Sequence, residues 1–277
     1  MILIHGMALS AIPYMLMYPV KIESYFFGTM LYYFACLGIT AGSHRLWSHR
    51  SYKATKILEW FLMIASTCAN QGSIYHWVRD HRVHHKYSET DADPHNAKRG
   101  FFFAHMGWLL QKKHPAVIEA GNKLDLKDLN NNYVIVFQKK YNVVLSILIC
   151  FVFPTIIPML YWKETFWAAF LICTIFRYVM TLHATWLVNS WAHFYGHRPY
   201  DPTINPAESF GVALFTIGEG WHNWHHTYPH DYAASELGIS SRFNPTKLFI
   251  DICCTLGLAS DRKRATNAWQ IKKKIKR

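Results

Sequence analysis

VVLSILICFVFPTIIPMLYW (Val143–Trp162), KET (Lys163–Thr165) and FWAAFLICTIFRYVMTLHATWLV (Phe166–Val188) form two apolar stretches joined by three residues. Each stretch is close to the ~20 residues that carry a helix across a hydrocarbon core, and so short a joint makes the pair a helical hairpin. A second pair opens the chain, Met1–Val20 and Tyr25–Ala41, joined by Lys21–Ser24. The expected architecture is therefore an all-α integral membrane protein of four transmembrane helices in two hairpins, at 1–20, 25–41, 143–162 and 166–188. Residues 42–142 and 189–277 would form a helical cap outside the bilayer, with 1–277 as a single domain. Met1–Val20 reads as an uncleaved span rather than a signal peptide, because it lacks a basic leader, contains Pro13 and runs straight into a second span. A start inside an apolar run leaves almost no N-terminal arm, which fits a naturally short chain or a start at an internal methionine.

Composition agrees with a chain divided between lipid and water: 51% hydrophobic and 16% aromatic, with a mean hydropathy of +0.01. Of 29 Lys and Arg, 26 lie in the two cap regions, leaving Lys21, Lys163 and Arg177. The positive-inside rule places the cap and both termini in the cytosol. The net charge of +12 is thus mostly topological, although the KKKIKR tail also suits anionic lipid headgroups. Basic residues spread over two loops, with no nucleic-acid module, exclude nucleic acid as the partner. The six cysteines sit in apolar stretches with no C-x-x-C pair, and read as buried apolar residues. Ile57–Ala69 is apolar but short and carries Glu59, so it is expected to graze the membrane surface. A fifth crossing there would separate the first histidine cluster from the second. Phe101–Leu110 and Lys247–Leu258 are also too short to span, and fit the interface or the core of the cap.

Seventeen histidines are present, and eight fall in three clusters: HRLWSH (His44–His49), HRVHH (His81–His85) and HNWHH (His222–His226). H-x-x-H-H places positions i, i+3 and i+4 on one helical face, aiming several imidazoles at one point. His44 and His49, five apart, do not share an α-helical face. With two crossings before each cap region, His44, His49, His81, His84, His85, His222, His225 and His226 share one side of the membrane. His193, in NSWAH just beyond the fourth span, is a ninth candidate. Nine nitrogen donors exceed one metal's capacity and suit two. The remaining eight, His5, His76, His95, His105, His114, His183, His197 and His230, read as ordinary surface or hydrogen-bonded residues. Asp80, Glu89, Asp91 and Asp93 are candidates to orient ligand rings through their second nitrogen. A metal transporter would need ionisable ligands within the spans, where only His5, Arg177 and His183 occur. A zinc hydrolase is disfavoured by the absence of H-E-x-x-H and by the number of donors.

HRLWSHRSYKA (His44–Ala54), RDHRVHHKYSETDADPHNAKRGFFFAHMGWLL (Arg79–Leu110), NSWAHFYGHRPYD (Asn189–Asp201) and GEGWHNWHHTYPHDYAASE (Gly218–Glu236) resemble, in order, the boxes of the membrane acyl-CoA desaturases, closest to the stearoyl-CoA (Δ9) group. The similarity runs over nearly the whole chain. It implies two irons held by the nine histidines named above, O₂ as co-substrate, and insertion of a cis double bond, Δ9, into a saturated C16–C18 fatty acyl-CoA. By matching position, Asn189 would hold a water near one iron. Arg79, Asp80, Lys112 and Lys113 would contact the CoA, and Trp186 would lie near the acyl chain. Tyr32 and Cys36 would stop its methyl end, with Cys36 standing where mammalian members have alanine and so shortening the tunnel in favour of palmitoyl chains. The family asparagine aligned with Gly72 is missing, which removes one expected head-group contact. No H-P-G-G haem segment, flavin motif or iron–sulfur cysteine set occurs in the chain. The resemblance therefore implies an external carrier, cytochrome b5 or a similar protein with its reductase, in the endoplasmic reticulum membrane. Other membrane di-iron fatty acyl oxidases, namely a desaturase of different position, a conjugase or a hydroxylase, share such boxes and would be told apart by product.

Overall fold

Proline sets the first boundary in the computed structural model, which describes residues 1–275. The end of the KKKIKR tail, expected at lipid headgroups, lies outside the described residues. In chain order the helices that organise the molecule are α1 (Ile2–Met17), α2 (Ile22–Ser48), α3 (Lys56–Ala69), α4 (Ile74–Tyr87), α5 (Tyr133–Tyr161), α6 (Phe166–Phe194), α7 (Phe210–Phe215), α8 (His222–Thr227), α9 (Pro245–Thr255) and α10 (Thr266–Ile275). Short helical turns fill the stretch between Ala97 and Asn130. α1 stops before Tyr18, whose φ −126° and ψ 144° are the extended geometry forced by the ring of the next residue, Pro19. The helix is 16 residues long, apolar, and shorter than the span read for 1–20. Three helices, α2, α5 and α6, are long and apolar enough to cross a membrane.

Each of the three overruns its apolar stretch. α2 continues past Ala41 as an eleven-residue π-helical run, Gly38–Ser48, where Tyr52 Oη and Ser48 Oγ donate to the carbonyls of Ala41 and Ser43. α5 begins well before Val143, because Asn132 Oδ1 caps it by accepting from the amides of Val134 and Ile135. α6 runs beyond Val188 and bends at Ser190 (φ −107°, ψ −80°) before carrying His193.

α3 has two faces. It buries Leu58, Leu62, Met63, Ala65 and Cys68 against α2 and α5, and leaves the apolar Ile57, Phe61 and Ile64 exposed, the stripe a helix expected at the membrane surface would present. Glu59 is accommodated because Asn132 Nδ2 and Lys56 Nζ both donate to it at 2.9 Å. At Gly38 the two helices touch so closely that a Cβ would lie 2.0 Å from the Ser66 amide nitrogen, so only glycine fits. Arg177, buried in α6, donates to the carbonyls of Cys68, Cys150 and Cys173 and ties α3 and α5 to its own helix. All six cysteines are free, as read from the sequence. The two hairpin turns interlock where Glu164 Oε2 accepts from Ser24 Oγ (2.6 Å) and the Lys21 amide (3.0 Å). A two-residue antiparallel ladder, Lys53–Ala54 with Ala259–Ser260, brings the end of the chain back to the segment after α2.

Candidate metal centre

α4 starts at Ser73, whose Oγ caps the His76 amide, and its last turns carry His81, His84 and His85. α8 carries His222, His225 and His226, and the last turn of α6 adds His193. His44 and His49 come from the π-helical end of α2. In an α-helix residues five apart diverge, but a π-turn bonds i to i+5 and stacks them. The His49 amide donates to the His44 carbonyl at 3.2 Å, and the two ring centroids are 4.9 Å apart. The sequence reading that separated these two rings is therefore corrected by the local helix type.

All nine histidines chosen from the sequence converge, in two groups. His44, His49, His81, His85 and His225 form one, and His84, His193, His222 and His226 the other, with the donor atoms of each group within 4.8 Å of one another. Each H-x-x-H-H box divides in the same way. Its i and i+4 members (His81 and His85, His222 and His226) stay together, while its i+3 member (His84, His225) crosses to the other group. The boxes thus aim at two points rather than one.

Hydrogen bonds decide which nitrogen faces inward. His44 Nδ1 donates to Glu219 Oε2 (3.0 Å), His84 Nδ1 to Asp93 Oδ1 (2.9 Å) and His193 Nδ1 to Glu89 Oε1 (3.4 Å). Each carboxylate fixes the proton on Nδ1 and leaves the Nε2 lone pair pointing into the cluster. Those Nε2 atoms face other Nε2 atoms: His44 to His225 at 2.9 Å, His84 to His226 at 3.3 Å and His193 to His222 at 3.0 Å. Lone pairs opposed at such distances suit a cation between them. Of the four acidic candidates, Glu89 and Asp93 take this role. Asp80 is engaged elsewhere and Asp91 is exposed. Glu219 was not among the candidates, although it lies in GEGWH three residues before His222. Burial pushes its carboxyl up, but the Arg45 guanidinium and His44 outweigh that and hold it at about 2.

Burial, followed by the charge of their neighbours, pushes His49, His81, His85, His222, His225 and His226 well below the ordinary imidazole value of 6.5. These six are neutral at pH 7, the form that binds metal. In the unfolded chain they take up protons as pH falls below 6.5, whereas in the folded metal-free protein they do not. Stability of the stripped protein is therefore fully present above 6.5 and declines below it, by up to about 1.4 kcal/mol per pH unit for each proton. We expect a lower melting temperature at pH 5.5 than at pH 7.5 after chelation. A pH-independent melting temperature would contradict this.

Two cavities meet at the cluster. The outer one, about 470 Å³, is lined by Gln71, Gly72, Asp80, Lys113, Trp108 and Trp186. The inner one is mostly apolar and is lined by His44, His81 and His222 together with Ile39 and Cys36. Trp77, His81, Thr185 and Asn189 are walls of both. Arg79 reaches the mouth through Asp80, which also pairs with Lys113. Lys112 is exposed and takes no part in that chain of charges. Tyr32 lies beyond Cys36, where its hydroxyl donates to the Phe215 carbonyl at 2.5 Å. His95, read as an ordinary residue, is instead buried beside the site, its ring centroid 4.2 Å from that of His84, and burial pushes it down to about 3. Only its position two residues after Asp93 links it to the site in the sequence.

Comparison with known proteins agrees with this geometry. The sequence model of the fatty acid desaturase family matches residues 23–237. The chain is 57% identical over 232 residues to human stearoyl-CoA desaturase 5, covering 84% of this chain and 70% of that protein. It is 55% identical over 243 residues to the acyl-CoA Delta-9 desaturase of Acheta domesticus (88% and 67%). It is 52% identical over 252 residues to the Delta(9)-fatty-acid desaturase fat-6 of Caenorhabditis elegans (91% and 74%).

Proposed function

This chain belongs to the fatty acid desaturase family, and from that premise we propose how its residues divide the work of an acyl-CoA Δ9 desaturase. The enzyme acts on a fatty acyl-CoA, and its relatives are named for stearoyl-CoA and Delta-9 chemistry. The observation that supports the metal assignment is the convergence of nine Nε2-bearing rings into two groups. Each group takes one iron, and a donor set of nitrogen alone suits a metal that cycles between ferrous and ferric states. When bound, the two irons supply the reduction of O₂. Two hydrogens from adjacent methylenes, two external electrons and two protons convert O₂ to two waters and leave one cis double bond.

The protein's part is orientation. The CoA head lies at the outer mouth against Arg79, Asp80 and Lys113, with Lys112 on the open surface as a counter-charge for phosphate. The acyl chain passes Trp186 and Trp77 and enters the inner cavity, where His44, His81 and His222 form one wall. Asn189, shared by both cavities, holds a water beside the irons. Gly72, with φ +86° and nothing within 4 Å of a Cβ, leaves room at the mouth where the expected amide is missing. The apolar α1 completes four crossings, placing the cap and termini in the cytosol of an endoplasmic reticulum membrane, as one domain. Electrons come from cytochrome b5 or a similar carrier.

Expression of the chain in desaturase-deficient yeast, with the double bonds located by mass spectrometry, tests this reading. New Δ9 monounsaturated acids are expected; hydroxylated or differently positioned products would overturn it. The same assay measures chain length. Cys36 lines the inner cavity; as the stop for the methyl end of the chain, its replacement in Cys36→Ala should raise the ratio of C18 to C16 products several-fold, within the roughly tenfold that one methylene's worth of pocket supplies. An unchanged ratio would remove Cys36 from the tunnel's end.

A further inference from the structure

Ligand helix α8 carries one ring that serves neither the metals nor the substrate. Trp224, between His222 and His225, is fully buried and turns away from both cavities. Its ring lies T-shaped on Tyr200, 4.8 Å between centroids, and Tyr200 lies T-shaped on Trp269, at 5.1 Å. Trp269 belongs to α10 and is partly open to solvent. The three rings make a continuous path from the ligand helix to the surface. The path is held rigidly: Glu236 accepts from Tyr200 Oη (2.8 Å) and from Trp269 Nε1 (3.0 Å), and Asn223 Oδ1, beside His222, accepts from the Tyr200 amide (2.9 Å). Trp77, stacked on His81, faces the substrate cavities and is covered when they fill.

The charges at the outer end are mostly paired. Arg262 pairs with Asp251 and Arg264 with Asp231, Glu236 accepts from Trp269, and Lys263 is exposed six residues before Trp269. We propose that electrons enter the metal site through Trp269, Tyr200 and Trp224, and that a one-electron carrier protein docks over Trp269, with Lys263 as a cation at the rim of the contact. This rests on the desaturase reading, which requires two external electrons per double bond. In each of two encounters a reduced carrier is oxidised by one electron and the metal site is reduced by one. The electron tunnels through the packed rings, so no bond forms or breaks in the relay and no ring is itself oxidised. Docking here leaves the acyl-CoA mouth free, so both partners bind at once. Charge at such a contact acts mainly on association rate and salt dependence.

The test uses the full-length iron-loaded enzyme and the photoreduced haem domain of cytochrome b5 as probe. Trp269→Leu should slow reoxidation of the haem several-fold, while a single turnover from dithionite-reduced enzyme keeps its rate and the melting temperature is unchanged. Trp269→Phe, which keeps a ring, should recover most of the loss. Lys263→Glu should weaken binding of the haem domain to the metal-free protein, on the order of tenfold at low salt and less as salt rises. Wild-type reoxidation in Trp269→Leu, or wild-type binding in Lys263→Glu, would overturn the proposal. Wild-type enzyme that forms no double bond even from dithionite would overturn the desaturase reading, and the proposal with it.

Discussion

We expect His225→Ala to abolish double-bond formation and to lower bound iron below two per chain. His225 sits at the centre of its group, with Nε2 2.9 Å from both His44 Nε2 and His85 Nε2. It is also the member that crosses from the α8 box into the group supplied by α2 and α4. Its removal takes away a donor and the link between the two boxes at once. Loss of a mere hydrogen-bond partner behind a metal ligand costs ~10–100-fold in affinity or activity, and removal of the ligand itself should exceed that. His197→Ala, at an exposed histidine outside both groups, should leave product and iron unchanged. Iron by plasma mass spectrometry and product by gas chromatography measure both. An active His225→Ala enzyme would remove this ring from the site.

We expect Arg45→Met to destabilise the fold by about 3–5 kcal/mol, because it leaves a buried carboxylate without its cation. Arg45 is 1% exposed; it donates to Glu219 Oε1 (2.9 Å from Nη2), to the carbonyls of Tyr232 and Ala233, and to Asn244 Oδ1. One guanidinium therefore joins the π-helical end of α2, the residue behind His44 and the segment leading into α9. The carboxyl of Glu219 stands at about 2 against an ordinary 4.5. A depressed carboxyl contributes stability that is complete above 4.5 and lost as pH falls toward 2, here roughly 3 kcal/mol at neutral pH. For a chain of this size the melting temperature should drop by roughly 10 °C, and iron content should fall as His44 loses its fixed tautomer. Adding Glu219→Gln removes the stranded charge, so the double variant should recover part of the stability without recovering iron. A melting temperature within about 2 °C of wild type for Arg45→Met would show that the ion pair is not what holds this region.

Much of the site could be read from spacing, because H-x-x-H-H has a geometric meaning as soon as its residues are helical. The structure puts both boxes on helices, and every one of the nine rings in a group. What spacing could not reveal was a change of helix type. His44 and His49 meet only because α2 ends as a π-helix, and no composition signal in GITAGSHRLWS marks that change. Glu219 was hidden for a related reason: a carboxylate that orients a distant ring is defined by a contact 175 residues apart in sequence, not by a local pattern. In the fold, apolar length located the cores of α2, α5 and α6 but not their ends. Caps such as Asn132 and breaks such as Ser190 set those ends, and they lie outside the apolar runs. α1 fell short of its run because Pro19 fixes the residue before it. The sequence of α3 did not show which of its faces is buried: Gly38 lets α2 approach one side closely, while Ile57, Phe61 and Ile64 stay exposed.

The central claim is that two histidine groups each hold one iron beside a single acyl cavity. Anomalous diffraction at the iron absorption edge from crystals of the purified protein tests it most directly. The account predicts two peaks, one among His44, His49, His81, His85 and His225 and the other among His84, His193, His222 and His226. A single peak, or iron bound away from these rings, would contradict it.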